Sequence, residues 1–129
     1  MRGLRMLVGL FAIGATVSSL SACSHSNTEY GELAPANAVT VHVQNQNFLD
    51  MDVYAVAEGV STRLGTVTGN SSATFVVNAS TTNQDFAIVA TPIGGAGRAS
   101  TGNISVGPGQ TIEFRIGSML SNSSVFIRG

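Results

Sequence analysis

Tryptophan and lysine are absent from this chain of 129 residues, cysteine occurs once, proline three times, and only 10% of the residues are charged. Each shortage removes a class of function. A single cysteine cannot close an internal disulfide, so the chain is not one of the small secreted scaffolds held by bridges. Without lysine, positive charge rests on arginine alone: Arg2 and Arg5 near the start, then Arg63, Arg98, Arg115 and Arg128. From residue 23 onward those four arginines face seven acids, Glu29, Glu32, Asp50, Asp52, Glu58, Asp85 and Glu113, for a side-chain balance of −3. A mildly acidic chain lacks the basic footprint of a nucleic-acid binder or of a protein drawn electrostatically to anionic lipid. Nucleic acid is therefore not an expected partner. The missing tryptophan and the two tyrosines also argue against a glycan-binding face built from exposed rings.

Catalytic constellations are equally scarce. A Ser-His-acid arrangement would depend on His42, the sole histidine after residue 25, and no Gly-x-Ser-x-Gly elbow accompanies it. His42 reads more simply as the outward member of Val41-His42-Val43. Zinc needs three or four nitrogen, sulfur or oxygen ligands, and no His/Cys cluster supplies them. The expected function is non-enzymatic, with no cofactor.

What the chain does have is a directed N-terminus. Arg2 and Arg5 precede an apolar run from Met6 to Val17, too short for a comfortable membrane span but right for the apolar region of a secretory leader. It ends at Leu20-Ser21-Ala22-Cys23, which resembles the lipobox of bacterial lipoproteins. That resemblance implies cleavage before Cys23, a diacylglyceryl thioether on its sulfur and acylation of the new amino terminus. Several acyl chains, at about 0.8 kcal/mol per buried methylene, hold a protein durably where one does not. Ser24, standing where an Asp would favour retention at the inner membrane, implies the outer membrane of a bacterial cell envelope. Residues 1–22 are thus expected to be a lipoprotein signal peptide and 23–37 the lipidated cysteine with a flexible tether. Ser24–Asn37 is small and polar, has no sustained period, and reaches roughly 45 Å when extended.

Residues 38–129 read as strand after strand. Val39, Val41 and Val43 alternate with Thr40 and His42; Asp52–Ala57, Arg63–Thr68, Ala73–Val77, Phe86–Thr91, Thr111–Ile116 and Ser124–Arg128 follow, with a weaker strand across Arg98–Val106. Gly65 marks a bulge or a close backbone approach, Gly69-Asn70-Ser71 a turn, and Pro92 the end of the fifth strand. No segment after the leader has a helical period. The fold class is all-β: an antiparallel β-sandwich of seven to eight short strands. The Pro108-Gly109 turn feeding the alternating Thr111-Ile112-Glu113-Phe114 is similar to the immunoglobulin-like sandwiches of bacterial surfaces, without the Cys and Trp signature of antibody domains.

The most suggestive polar cluster is Asn45-Gln46-Asn47-Phe48-Leu49-Asp50-Met51-Asp52, between the first two strands. Its oxygens are of the kind calcium takes, with Asp50 and Asp52 the candidate metal ligands, but the spacing is not that of an EF-hand and the same residues serve ordinary turns. In the turn reading, Phe48 and Leu49 pin the crossover to the core. Arg63 is expected to pair with Glu58 across the Gly59 turn, and Gly94-Gly95-Ala96-Gly97 to form a loop tip. The favoured function is a lipid-anchored envelope protein that presents a sandwich to a protein partner or serves a structural role, with Asn45–Asp52 and Pro92–Arg98 as contact segments. The alternative is an envelope protein that binds calcium or a small ligand through Asn45–Asp52.

Overall fold

A computed structural model describes residues 36–82 and 85–129. The expected leader, Cys23 and nearly all of the tether lie outside the described residues. Strict alternation makes β1 (Ala38–Asn45) a strand with one dry face, on which Val39, Val41 and Val43 are fully buried. β2 (Met51–Ala57) turns back through Glu58-Gly59 into β3 (Val60–Val67), and β4 (Ser71–Asn78) follows the three-residue connection Thr68-Gly69-Asn70. β5 (Ala87–Pro92), the two-residue β6 (Ala99–Ser100), β7 (Thr111–Ile116) and β8 (Ser124–Arg128) complete two sheets of four strands, ordered β4-β1-β7-β8 and β3-β2-β5-β6. Single 3₁₀ turns at Ala79–Thr81 and Leu120–Asn122 are the remaining helical elements among the described residues.

The two sheets share one core. Ile112, Phe114 and Ile116 of β7 join the β1 valines from one side, while Met51 and Val53 of β2, Ile88 and Ala90 of β5, and Phe86 come from the other. Each of the larger side chains removes enough apolar surface to contribute about 1.5–3 kcal/mol. The expected alternation of β7 is met residue by residue.

Pairing is mostly antiparallel, and the expectation of an entirely antiparallel sandwich needs one correction: β1 and β7 run parallel, Val41 opposite Ile112 and Val43 opposite Phe114. The reason lies in the connection. The chain reaches β7 from the opposite sheet and enters at the end where β1 begins, bonding Gly109 N to Ala38 O (2.9 Å) and Thr40 N to Gln110 O (3.1 Å). No hairpin links the two strands, so nothing forces them to oppose.

Arg98–Val106 also departs from expectation, because only Ala99–Ser100 and an isolated Phe86–Ile104 bridge pair with β5 and its approach. Side chains take over part of the ladder: Thr101 N still donates to Ile88 O (3.0 Å), but Ile88 N donates to Thr101 Oγ1 (2.9 Å), and Gly102 N, on a backbone with φ of 68°, donates to Ser100 Oγ (3.0 Å). Hydroxyls that satisfy local amides compete with strand formation. Gly65 fulfils both of its readings. The register slips between Val53 and Tyr54, leaving Leu64 as the extra residue, and a Cβ on Gly65 would sit 2.7 Å from Phe75 Cε1.

Phe114→Ala is expected to cost about 3–5 kcal/mol, by lost transfer energy plus the cavity left between the sheets. Urea denaturation followed by fluorescence-independent circular dichroism reads it; a loss below 1 kcal/mol would mean that β7 does not anchor the shared core.

Candidate functional site

The Asn45–Asp52 segment is built by amides. Asn45, ending β1 at 1% exposure, shares its two Nδ2 hydrogens among Leu49 O (2.8 Å), Thr68 O (3.2 Å) and Val67 O (3.3 Å). Its Oδ1 accepts from Asn47 N (3.0 Å). Buried Asn47 repeats the pattern, accepting from Leu49 N (2.9 Å) and donating from Nδ2 to Ser118 O (2.9 Å). Two successive turns of this kind let a short crossover leave one sheet for the other with its polar groups satisfied. They also reverse one expectation. Leu49 packs against the core, but Phe48, held between the two turns, points outward at 77% exposure and pins nothing.

Three further loops tie into this crossover. Asn70 N donates to Asn47 O (2.9 Å) and Gly69 N to Asp50 Oδ1 (2.9 Å). Gly69 is required by contact, since a Cβ there would lie 2.6 Å from the carbonyl carbon of Phe48. Ile93 N bonds Asp50 O (2.8 Å), and Gly95 and Gly97 pack close to Leu49 and Leu120. One end of the sandwich is therefore a set of interlocked loops, and each of three carries a large apolar side chain outward: Phe48 at 77%, Ile93 at 48% and Met119 at 64% exposure. Sequence reasoning selected the first two segments and missed Met119. Its signal was an apolar residue flanked by Gly117, Ser118, Ser121 and Asn122, which is loop composition rather than strand.

The charged residues sit elsewhere. Arg63 Nη2 donates to Asp52 Oδ1 (2.7 Å) and Thr66 Oγ1 (2.6 Å), and Thr66 Oγ1 donates to the same Asp52 oxygen (2.7 Å). The expected Arg63–Glu58 pair is thus corrected. The bulge sets Asp52 against Thr66 and Tyr54 against Arg63, which brings Arg63 over Asp52 on the outer sheet face, while Glu58 lies in the turn at φ of 50°. The Thr66 hydrogen bond, then Arg63, holds the Asp52 carboxyl below the ordinary carboxylate range. Asp52 in turn raises the guanidinium of Arg63.

Of the two candidate metal ligands, Asp50 thus serves the Gly69 amide and Asp52 the Arg63 cluster. Among the described residues there is no group of three or more His, Cys, Asp or Glu side chains arranged to hold a metal. His42 lies on the outer face of its sheet with Nδ1 3.1 Å from Thr74 Oγ1, its partner across the β1–β4 ladder. No helix of the described residues is long and apolar enough to cross a membrane.

No protein-family model matches the chain, and no curated protein matches it. Among solved structures it is similar to an NMR structure of a protein from Eubacterium rectale, at 14% identity and a TM-score of 0.47, covering 70% of this chain and 88% of that one.

Two outcomes follow from this geometry. Asn45→Ala should destabilise the domain by about 1–3 kcal/mol in urea melts, and Asn45→Asp by more, since it aims a carboxylate at three carbonyl oxygens. An Asn45→Asp variant as stable as wild type would refute the amide's role. The Asp52 carboxyl is lowered on folding, so its contribution is complete above the ordinary carboxylate pKa and disappears as pH falls through the lowered value. Between about pH 5 and 2, Asp52→Asn should therefore lose less stability on acidification than wild type; identical pH profiles would remove Asp52 from the account.

Proposed function

We propose that this protein is a bacterial envelope lipoprotein, anchored through Cys23 in the outer membrane, that holds a non-catalytic β-sandwich away from the bilayer for contact with another envelope protein. The observation that carries this reading is the opposition of two ends of β1. The chain enters the fold at Asn37 and Ala38, beside Ala79 and Asn78. Phe48, Ile93 and Met119 belong to the loops at the other end, roughly 25 Å along an eight-residue strand. The chain thus enters the sandwich at one end, and those apolar side chains lie at the other.

Large apolar side chains on loops secured by buried amides suit a contact surface better than a catalytic one, because the polar groups beneath them are spent on holding the backbone. The side-chain balance of −3 after residue 22 keeps nucleic acid outside the reading. The immunoglobulin-like comparison is retained for the layered architecture only. Antibody-type constant domains group their first, second, fourth and fifth strands, whereas β1 here shares its sheet with β4, β7 and β8.

Intact mass of the membrane-fraction protein tests the anchor: residues 23–129 plus acyl chains are expected, and Cys23→Ala should abolish both the added mass and the membrane association. An unmodified product cut elsewhere would overturn it. A photoreactive residue at position 48 tests the contact end, and should give a discrete cross-linked product in cells that the same residue at position 126, on β8, does not. Equal products at both positions, or none at 48, would count against the loop end as the contact surface.

A further inference from the structure

At the end where the chain enters, the two sheets part. The β2–β3 hairpin turns there through Glu58 and Gly59, and its inward positions carry small side chains: Ala55 opposite Thr62 and Ala57 opposite Val60. These residues continue the face that buries Met51 and Val53. Yet Val60 is 66% exposed. Protein interiors are close-packed, and an inward-facing valine in that state marks space the core does not fill. The space is a cleft of about 460 Å³ between β3 and β4, with Phe86 at its base and Leu64 and Val77 on its walls. Small-molecule sites fall in the same range, about 300–1,000 Å³.

Its charge is one-sided. Among the described residues on the wall, Glu58 is the one ionisable side chain; the other polar groups are those of Thr62, Asn78 and Ser80. None of the described arginines lines it, and the chain contains no lysine. A fatty carboxylate would meet a like charge with nothing to balance it. We propose that this cleft binds an amphiphile whose apolar chain lies against Phe86, Leu64 and Val77 and whose positively charged head sits at Glu58. The site is at the opposite end of the fold from Phe48, Ile93 and Met119, and does not depend on the lipoprotein reading.

The test uses the full chain carrying Cys23→Ala, which leaves every described residue intact. Dodecyltrimethylammonium and laurate, each below its micelle concentration and at low salt, are titrated while methyl resonances are followed by NMR. The cationic probe should shift Val60, Leu64 and Val77, and bind about two- to fivefold more tightly than laurate, the scale of one exposed charge pair. Glu58→Gln should erase that preference. Ala57→Leu, which fills the cleft, should weaken the cationic probe about tenfold or more without lowering Tm; if that variant does not fold, Val60→Ser, at an exposed wall position, should weaken it severalfold. Laurate shifting the same methyls as strongly would overturn the proposal. So would a cationic probe that shifts no cleft methyl, or only Ile93 and Met119.

Discussion

Four backbone atoms from two segments of chain converge on the buried side chain of Asn45. Its amide holds the carbonyls of Leu49, Val67 and Thr68, and its oxygen holds the amide of Asn47. A buried donor left unmet costs about 1–3 kcal/mol, so the loss of this one group would leave several backbone atoms dry and unpaired at once. The crossover from β1 to β2 is the step by which the chain changes sheet. With Asn45 and Asn47 in place, it does so in five residues, and the other three loops at that end then register against it through Asn70, Ile93 and Ser118. The exposed Phe48, Ile93 and Met119 inherit their positions from this arrangement. In the proposed role, a partner would meet apolar groups on a base that does not need to be ordered by binding.

The opposite end is built on the reverse principle. There the inward residues are small, the sheets separate, and the cleft at Phe86 is the consequence of alanine at positions 55 and 57. One end spends polar groups to close itself and exposes apolar side chains; the other spends little and stays open. Neither property was visible in the composition.

The strands were readable where a single chemistry decided them. Ile112, Phe114 and Ile116 alternate with Thr111, Glu113 and Arg115, and only one pairing face can bury the first set, so β7 runs over the residues its pattern indicates. Partner and direction are a different matter. The period of two says which face is dry and nothing about the neighbour, so the parallel β1–β7 contact was beyond reach. Arg63 shows the same limit at the level of one ion pair. A one-residue bulge at Leu64 moved it from the hairpin turn toward Asp52, and Gly65 announced the bulge without announcing where the guanidinium would go. Phe48 was misassigned because an aromatic between strands usually buries itself, whereas here two consecutive asparagine turns decide the local backbone first.

The parallel pairing of Val41 with Ile112 carries a consequence for the order of events during folding. β1 is the first strand of the domain and the second in its sheet, yet the partner on one of its sides is nearly the last to be made. A chain delivered amino terminus first can form the β2–β3 hairpin early, because its contacts are local. β1 can pair with β4 at mid-chain, but the side of it that meets β7 stays open until almost the whole domain is present. Long-range contacts of this kind raise contact order and slow folding.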